Sequence, residues 1–597
     1  MKNILKLSIL VYVAAALASC EVLHQTAKTS YDDEAVFSNE TLARYAVNAI
    51  YESYVTMASY RTDYFEVYGA NTDVDIRAGA DPNSNSDQYC LYIMNPKNAT
   101  FDKTDDQYLF AGNYKGIERA NICIEDLELY GDIDNRPEMG ALYGEALTVR
   151  GMLYADLLNV YGEVPARFKP ITQETIYLPK ADKDVIYKQI LGDFEKAAKY
   201  MSWKHELITV PSKACALGMY ARVALQAAGY SCRPDEGQVN TGAMGKVRKS
   251  NDPELQAEVL YPKALDALDQ IIDNAGLSLF DNFEDLWKWY CDLHVEYGKE
   301  VIFGLPFADN RGQHLTRNSI PNQKYNFGIN GGRIGPIPTL YFKYDKEDTR
   351  RNVTCIPYQY GTQGEANWGN VSAGRWYNGK FRLDWMIKKP LATGGGEDGA
   401  KFTYLRYADI LLMAAEIANE LGELERAKGY LRPVLVRAYR DEQLADDYIA
   451  RLADKETFFD AIKDQRAFEF CGELLRRQDL IRWGILKEAL DQAKEDLRNM
   501  KQLHGRWEGY SNSIYWRLKE DGIDAEIYGF EPGENENKAA LDPEGGWTRR
   551  TYFSTVGDNR INNLYVNDPD QNMYRPIPAS IITASMGVLK NDYGYTF

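Results

Sequence analysis

Residues 405–422 read LRYADILLMAAEIANELG, and this stretch decides the fold class. From Tyr404 to Leu421 apolar residues recur every three or four positions, the period of one helix face. Ala414, Ala415 and Ala418 put small side chains where a partner helix would approach. Gly422 breaks the pattern and Glu423 starts another helical run to 439. The spacing predicts a helix hairpin with a minimal turn.

Outward from this hairpin, the same period marks 40–57, 108–129, 141–161, 184–201, 212–229 and 261–275, and a region 456–498 around a break at Gly484. The 141–161 run stops at Gly162 ahead of Pro165, as helices commonly do. Ala214, Ala216, Ala221 and Ala224 repeat the small-residue pattern. Such pairs are similar to tetratricopeptide units, which need stacked neighbours to bury their faces, although the strict 34-residue signature is absent. The stretches 60–105, 230–255, 276–403 and 505–597 are irregular and rich in Gly, Asn, Asp and aromatic residues. Loops this long in a compact protein are functional or disordered, and the aromatic content predicts order. Glu300 to Phe307 (EVIFGLPF) predicts a strand, and Gly394 to Gly396 a surface turn without the phosphate-loop pattern.

The chain begins as a secretory signal would. Lys2 and Lys6 precede an apolar run from Ile4 to Leu17, which ends in Leu17-Ala18-Ser19-Cys20. The run is short of the roughly 20 residues that span a bilayer. The ending fits the bacterial lipoprotein box, so residues 1–19 are expected to be cut away and Cys20 to carry lipid. Each buried lipid methylene contributes about 0.8 kcal/mol, and more than one acyl chain anchors stably. The expected mature chain, 20–597, is one body with a helical half at 35–280 and a second half at 281–597.

Composition excludes several classes. The 69 basic and 87 acidic residues give a net charge of −18, which disfavours nucleic acid, since its phosphates require Lys and Arg. Besides Cys20 there are seven scattered cysteines, an odd number with no CxxC pair, so a disulfide framework is not expected. The five histidines stand alone without HExxH, so no metal or cofactor is expected. The 43 tyrosines and 10 tryptophans provide amphipathic rings suited to wet recognition surfaces.

Five segments resemble the SusD/RagB family of surface lipoproteins: YKGIERANI at 114–122, RGMLYADLLNVYGEVP at 150–165, LRYADILLMAAEIANELG at 405–422, EFCGELLRRQDLIRWG at 469–484 and YRPIPASIITASMGVLKNDYGY at 574–595. The chain departs from the family pattern at Gln465-Arg466-Ala467, at Glu473 to Arg476, and at Ile582 and Ser585. The resemblance implies a mainly α, SusD-like fold: four tetratricopeptide-like helix pairs packed with an irregular, loop-rich half. It also implies a non-catalytic protein, lipid-anchored at the outer membrane and facing outward, that captures oligosaccharide for a partner SusC-like TonB-dependent transporter. A peptide-binding RagB-like member, a purely structural surface protein and a helical glycosidase are the alternatives. Arg150, Arg406, Arg466 and Arg482 lie on apolar helices and are expected to tie helix ends and loop carbonyls together.

A neutral sugar needs flat rings for its apolar face and forked polar groups for its hydroxyls. Three stretches have this mixture. The first, where the family commonly places part of its site, has Tyr64, Tyr68, Asn71, Asp73, Asp75, Arg77, Gln88, Tyr89 and Tyr92. The second has Trp287, Trp289, Tyr290, Asp292 and Glu296, and the third Trp368, Asn370, Arg375, Trp376, Tyr377 and Asn378. Asn71 to Asp75 alternates oxygens as calcium loops do, but Ile76 stands where such a loop needs Gly and no closing Glu follows.

Overall fold

The structure is a computed structural model that describes residues 32–56, 59–62, 69–77, 104–327, 331–369, 371–390, 395–534 and 538–595. Cys20 and the signal lie outside these residues, as do Tyr64, Tyr68, Gln88, Tyr89, Tyr92 and Asn370.

The fold is mainly α. Helices α1 (Glu40–Asn48), α2 (Thr104–Tyr130), α3 (Pro137–Tyr161), α4 (Lys183–Tyr200), α5 (Lys213–Ala228) and α6 (Ala257–Asn274) come first. Each from α2 to α6 packs on the next. α7 (Phe283–Cys291) follows within the stretch expected to be irregular. The array then resumes: α8 (Tyr407–Glu420) packs against α6 as well as against its hairpin partner α9 (Leu424–Tyr439). Residues 276–403 are thus an excursion from a continuous helical stack. α10 (Glu442–Ala450), α11 (Lys455–Phe470), α12 (Arg476–Arg482) and α13 (Leu486–Gln502) complete it.

Local chemistry explains these boundaries. The 40–57 run is α-helical only to Asn48 and continues as a 3-10 segment, Ala49–Val55. Pro137 sits in the first turn of α3, where its missing N–H costs nothing. Gly422 has φ +83°, the left-handed backbone that the three-residue break between α8 and α9 requires. The expected helix from Tyr404 begins at Tyr407 instead. Thr403–Arg406 is a strand, β6, antiparallel to β2 (Val301–Gly304), the strand read from EVIFGLPF.

The small residues do what their spacing implies. Ala214, Ala216, Ala221, Ala224, Ala414, Ala415 and Ala418 are fully buried. A Cβ on Gly151 would lie 2.6 Å from the Phe194 ring, and one on Gly218 2.6 Å from Leu405. Cys123, Cys215 and Cys471 are buried and free, as are Cys232, Cys291 and Cys355. Among the described residues no helix is long and apolar enough to cross a membrane.

Other strands are short: β1 (Asp75–Arg77), β3 (Ile334–Pro336), β4 (Cys355–Ile356), β5 (Tyr377–Asn378), and a three-stranded sheet of β7 (Ser513–Leu518), β8 (Ala525–Tyr528) and β9 (Thr548–Thr551) in the order β8-β7-β9; Ser231–Arg233 pairs with Lys246–Arg248, and Gln359–Tyr360 with Ala366–Asn367. The C-terminal tail returns to α3. Arg575 N–H donates to Val160 O at 2.8 Å, and the Tyr593 hydroxyl donates to Glu163. The YGEVP turn and the closing tail therefore meet in space.

Candidate binding surface

The three candidate stretches converge. β1 pairs with β3, Asp75 opposite Pro336 and Arg77 opposite Ile334, and β3 adjoins β5. Just beyond β5, Phe381 packs on Trp287 at 5.6 Å and on Tyr290 at 6.0 Å between ring centroids. Long-range pairing of short strands thus gathers residues from 71, 287 and 377 around one segment, 376–381.

Most of their side chains face inward, against the sequence expectation. Trp287 is 1% exposed, held between Phe283, Tyr290 and Phe381 with the Lys380 ammonium 4.7 Å from its ring centroid. Trp376 is also 1% exposed and stacks on Phe530 at 5.7 Å. Trp368 is fully buried among Tyr358, Phe530 and Tyr552. Tyr377 is buried, and the buried Tyr290 hydroxyl is spent on His314 Nδ1. In this conformation none of these rings offers a free face, because the irregular half builds its own core from them.

The first stretch is structural in the same sense. Asn71, Asp73, Asp75 and Arg77 are buried. Asn71 adopts φ +69°, accepts from Arg77 N–H at 3.0 Å, and donates to the carbonyls of Asn563 and Leu564. Asp73 is gripped by Arg476. Burial alone would raise the Asp73 carboxyl, but the guanidinium holds it below its usual value. Asp75 accepts from the Thr72 hydroxyl at 2.9 Å, and burial pushes it up to about 7.

The arginines on apolar helices pair chiefly with carboxylates rather than with carbonyls, which corrects the sequence expectation. Arg406 binds Glu473 bidentately, at 2.7 and 2.9 Å, and reaches Glu300 at 2.8 Å and Glu469 at 2.6 Å. Arg437 joins Glu300 and Glu469, Arg350 joins Asp348 and Glu469, and Lys380 joins Glu473. Four cations and four carboxylates thus neutralise one another inside the protein. Arg466 and Arg222 share Asp409, whose carboxyl burial would raise but which they hold down at about 2. Arg482 pairs with Glu416 and Asp479. Arg150 and Arg406 do combine the two roles: Arg150 binds Asp193 at 2.7 and 2.8 Å and the Phe168 carbonyl at 3.1 Å, and Arg406 also donates to the Glu469 carbonyl at 3.0 Å. In these networks the charges are spent on one another.

Half-exposed rings occur instead at the rim of the core built around Trp287. Trp289 stacks on His294 with centroids 5.8 Å apart and planes at 14°. The Trp385 ring centroid lies 5.9 Å from the Lys288 ammonium and 4.8 Å from the Arg382 guanidinium. The Tyr325 ring stacks on Phe327 with centroids 5.9 Å apart and planes at 9°, and its hydroxyl donates to Asp384 Oδ1 at 2.9 Å, while Asn322 donates to Oδ2 at 2.7 Å. Burial, reinforced by Asp384, pushes the Tyr325 phenol up to about 12. Ile387, 84% exposed, stands beside Asp292, which accepts from its N–H. Asp292 and Glu296 flank His294 at 3.2 and 3.3 Å. Half-buried aromatic rings bordered by Asp384, Asp292, Asn322 and His294 can cover a pyranose face and bind its hydroxyls.

Of the sequence candidates, this rim contains Trp289, Asp292 and Glu296. Sequence reasoning missed Trp385, Tyr325 and Asp384, whose only signal was an aromatic in a polar loop. Arg375 is half-exposed elsewhere, donating to Gly332 O at 3.3 Å and lying 5.6 Å from the Tyr377 centroid.

Two family models cover most of the chain. One described as SusD family matches residues 299–595, and one described as starch-binding associating with outer membrane matches residues 29–225. SusD-like protein P25 of Formosa agariphila is 25% identical over 408 residues, covering 63% of this chain and 70% of that protein. A SusD homolog from Bacteroides thetaiotaomicron superposes with a TM-score of 0.70 at 17% identity, over 94% of this chain and 98% of the other. Surface glycan-binding protein A from the same organism, solved in complex with laminarihexaose, gives 0.60 at 16% identity, over 92% and 99%.

Proposed function

The chain belongs to the SusD family, and from that membership we propose that it is a non-catalytic lipoprotein that captures oligosaccharide at the Tyr325–Trp385–Trp289 rim. The observation that supports this reading is the rim itself: half-buried Trp289, Trp385 and Tyr325 at the edge of the core around Trp287, with Asp384, Asp292 and His294 beside them to fork onto hydroxyls. The laminarihexaose complex of a protein with the same fold supports a glycan as the ligand class. In this proposal residues 1–19 are a signal, Cys20 carries the lipid, and 20–597 form one body at the outer membrane. A SusC-like transporter receives the glycan there.

The test is calorimetric titration of residues 21–597 with a panel of neutral and charged oligosaccharides and peptides, followed by chromatography of the recovered ligand. One glycan class is expected to bind and return intact. No binding across glycans and peptides would sink the reading, and shortened products would replace it with an enzyme. Loss of palmitate incorporation in Cys20→Ser tests the anchor.

A further inference from the structure

The guanidinium of Arg382 lies over the Trp385 ring, 4.8 Å from its centroid. The ring is half-exposed, but Arg382 is only 8% exposed. Its Nε donates to Gly379 O at 3.2 Å, and its Nη1 donates to the Tyr360 hydroxyl at 2.9 Å and reaches Asp524 Oδ1 at 3.4 Å. Asp524 comes from the turn between β7 and β8, 142 positions along the chain. It also accepts from the hydroxyls of the buried Tyr360 and Tyr358 at 2.7 and 3.3 Å. Burial would raise the Asp524 carboxyl, but Arg382 and Tyr360 hold it below its usual value.

The turn that supplies Asp524 is itself fixed. Lys519 N–H donates to Asp524 O at 2.8 Å, and Asp521 Oδ1 accepts from the N–H groups of Ile523 and Asp524 at 2.8 and 3.2 Å. These bonds close the turn and leave the Asp524 carboxylate for Arg382 and the two phenols. Trp385 has little else to hold its ring. It ends a single 3-10 turn, Leu383–Trp385, and among the described residues its ring meets no other aromatic ring. The second cation near it, Lys288, is exposed and paired with Glu284 at 2.7 Å. A buried ion pair adds little stability over apolar packing. What a tethered, planar guanidinium adds is a fixed plane on which a ring stacks.

We infer that Arg382, braced by Asp524, is a positioning residue of the rim, holding the Trp385 ring in the plane that receives the apolar face of a sugar. The β7–β8 turn thereby sets the geometry of the glycan site without touching glycan. The inference rests on the glycan reading of the rim and adds to it how Trp385 is held.

The test has a ligand-free arm and a binding arm. Residues 21–597 are labelled with 5-fluorotryptophan, and the fluorine resonance of Trp385 is identified by its loss in Trp385→Phe. Arg382→Lys keeps the charge but not the plane, and Asp524→Asn keeps an acceptor for both phenols. Each is expected to shift or broaden the Trp385 resonance and to leave those of the buried Trp287, Trp376 and Trp507 in place. Calorimetry then uses the tightest-binding member of the oligosaccharide panel. Each substitution is expected to lower affinity at least threefold in the native chain and less than twofold in a Trp385→Ala background. A merely structural role would lower the urea midpoint and move neither readout. An unmoved Trp385 resonance, or the same affinity loss with and without the Trp385 ring, overturns the inference while the glycan reading stands. No glycan binding by the native chain sinks that reading, and this role with it. Circular dichroism verifies folding, and if Arg382→Lys does not fold, Asp524→Asn carries both comparisons.

Discussion

Arg476 holds Asp73 through two N–H···O bonds of 2.8 and 2.7 Å, across 403 residues of sequence and fully inside the protein. A carboxylate that resembles a sugar ligand in the sequence is thereby the anchor of a loop. Removing one partner strands the other as a buried charge, a loss of about 3–5 kcal/mol. Arg476→Ala is therefore expected to lower the urea midpoint markedly, while glycan affinity per folded molecule changes less than twofold. A large affinity loss at unchanged stability would return Asp73 to the binding site.

The tryptophans divide in the same way. Trp287→Ala or Trp376→Ala empties a packed site and is expected to cost about 3–5 kcal/mol. Trp385→Ala and Trp289→Ala touch half-exposed rings and are expected to cost under about 1 kcal/mol while lowering glycan affinity at least tenfold. Urea unfolding and calorimetry on the same four proteins check both halves.

Stability should also fall as pH rises from about 4 to 7. Asp75 is raised to about 7 in the folded protein, against about 3.9 in an unfolded chain. Its contribution is therefore complete below pH 4 and lost as pH rises through 7, with a slope of at most about 1.4 kcal/mol per unit. Asp75→Asn, which keeps an acceptor for Thr72, is expected to flatten that part of the profile. An unchanged slope in urea titrations at pH 5, 6 and 7 would contradict the assignment.

Asp409 acts with the opposite sign. Its folded value of about 2 lies below the unfolded one, so its contribution is present above pH 4 and lost as pH falls toward 2. Acid unfolding is expected to begin at higher pH in Arg466→Ala, where that pairing is broken, as followed by circular dichroism.

Burial pushes the thiols of Cys123, Cys215, Cys232 and Cys291 up to about 12. With Cys20 and Cys90 replaced by Ser, a thiol reagent at pH 8 is expected to label nothing until denaturant is added. Rapid labelling of the native protein would show that the elements around these thiols open.

The helical stack was legible because its cause is local. Three-to-four periodicity, small contact residues and Gly422 act within a few positions, and α2 to α6, α8 and α9 followed the pattern to within a few residues. The strand at EVIFGLPF was legible for the same reason, and the family followed from segment wording. By itself the sequence also fixed charge, thiol scarcity and the class of ligand worth testing. Only the tertiary structure decided which aromatics are free. Trp287 and Trp289 are two residues apart on one short helix, yet one faces Phe381 and the other His294. That division depends on which surface α7 turns toward residues 376–381, and so on the pairing of β1 with β3 across more than 250 positions. The tertiary structure likewise decided that the arginines face carboxylates. Burying a guanidinium costs several kcal/mol unless an anion meets it, and those anions come from other elements, such as Glu300 before β2 and Glu469 at the end of α11. Composition lists the charges, but folding chooses their partners.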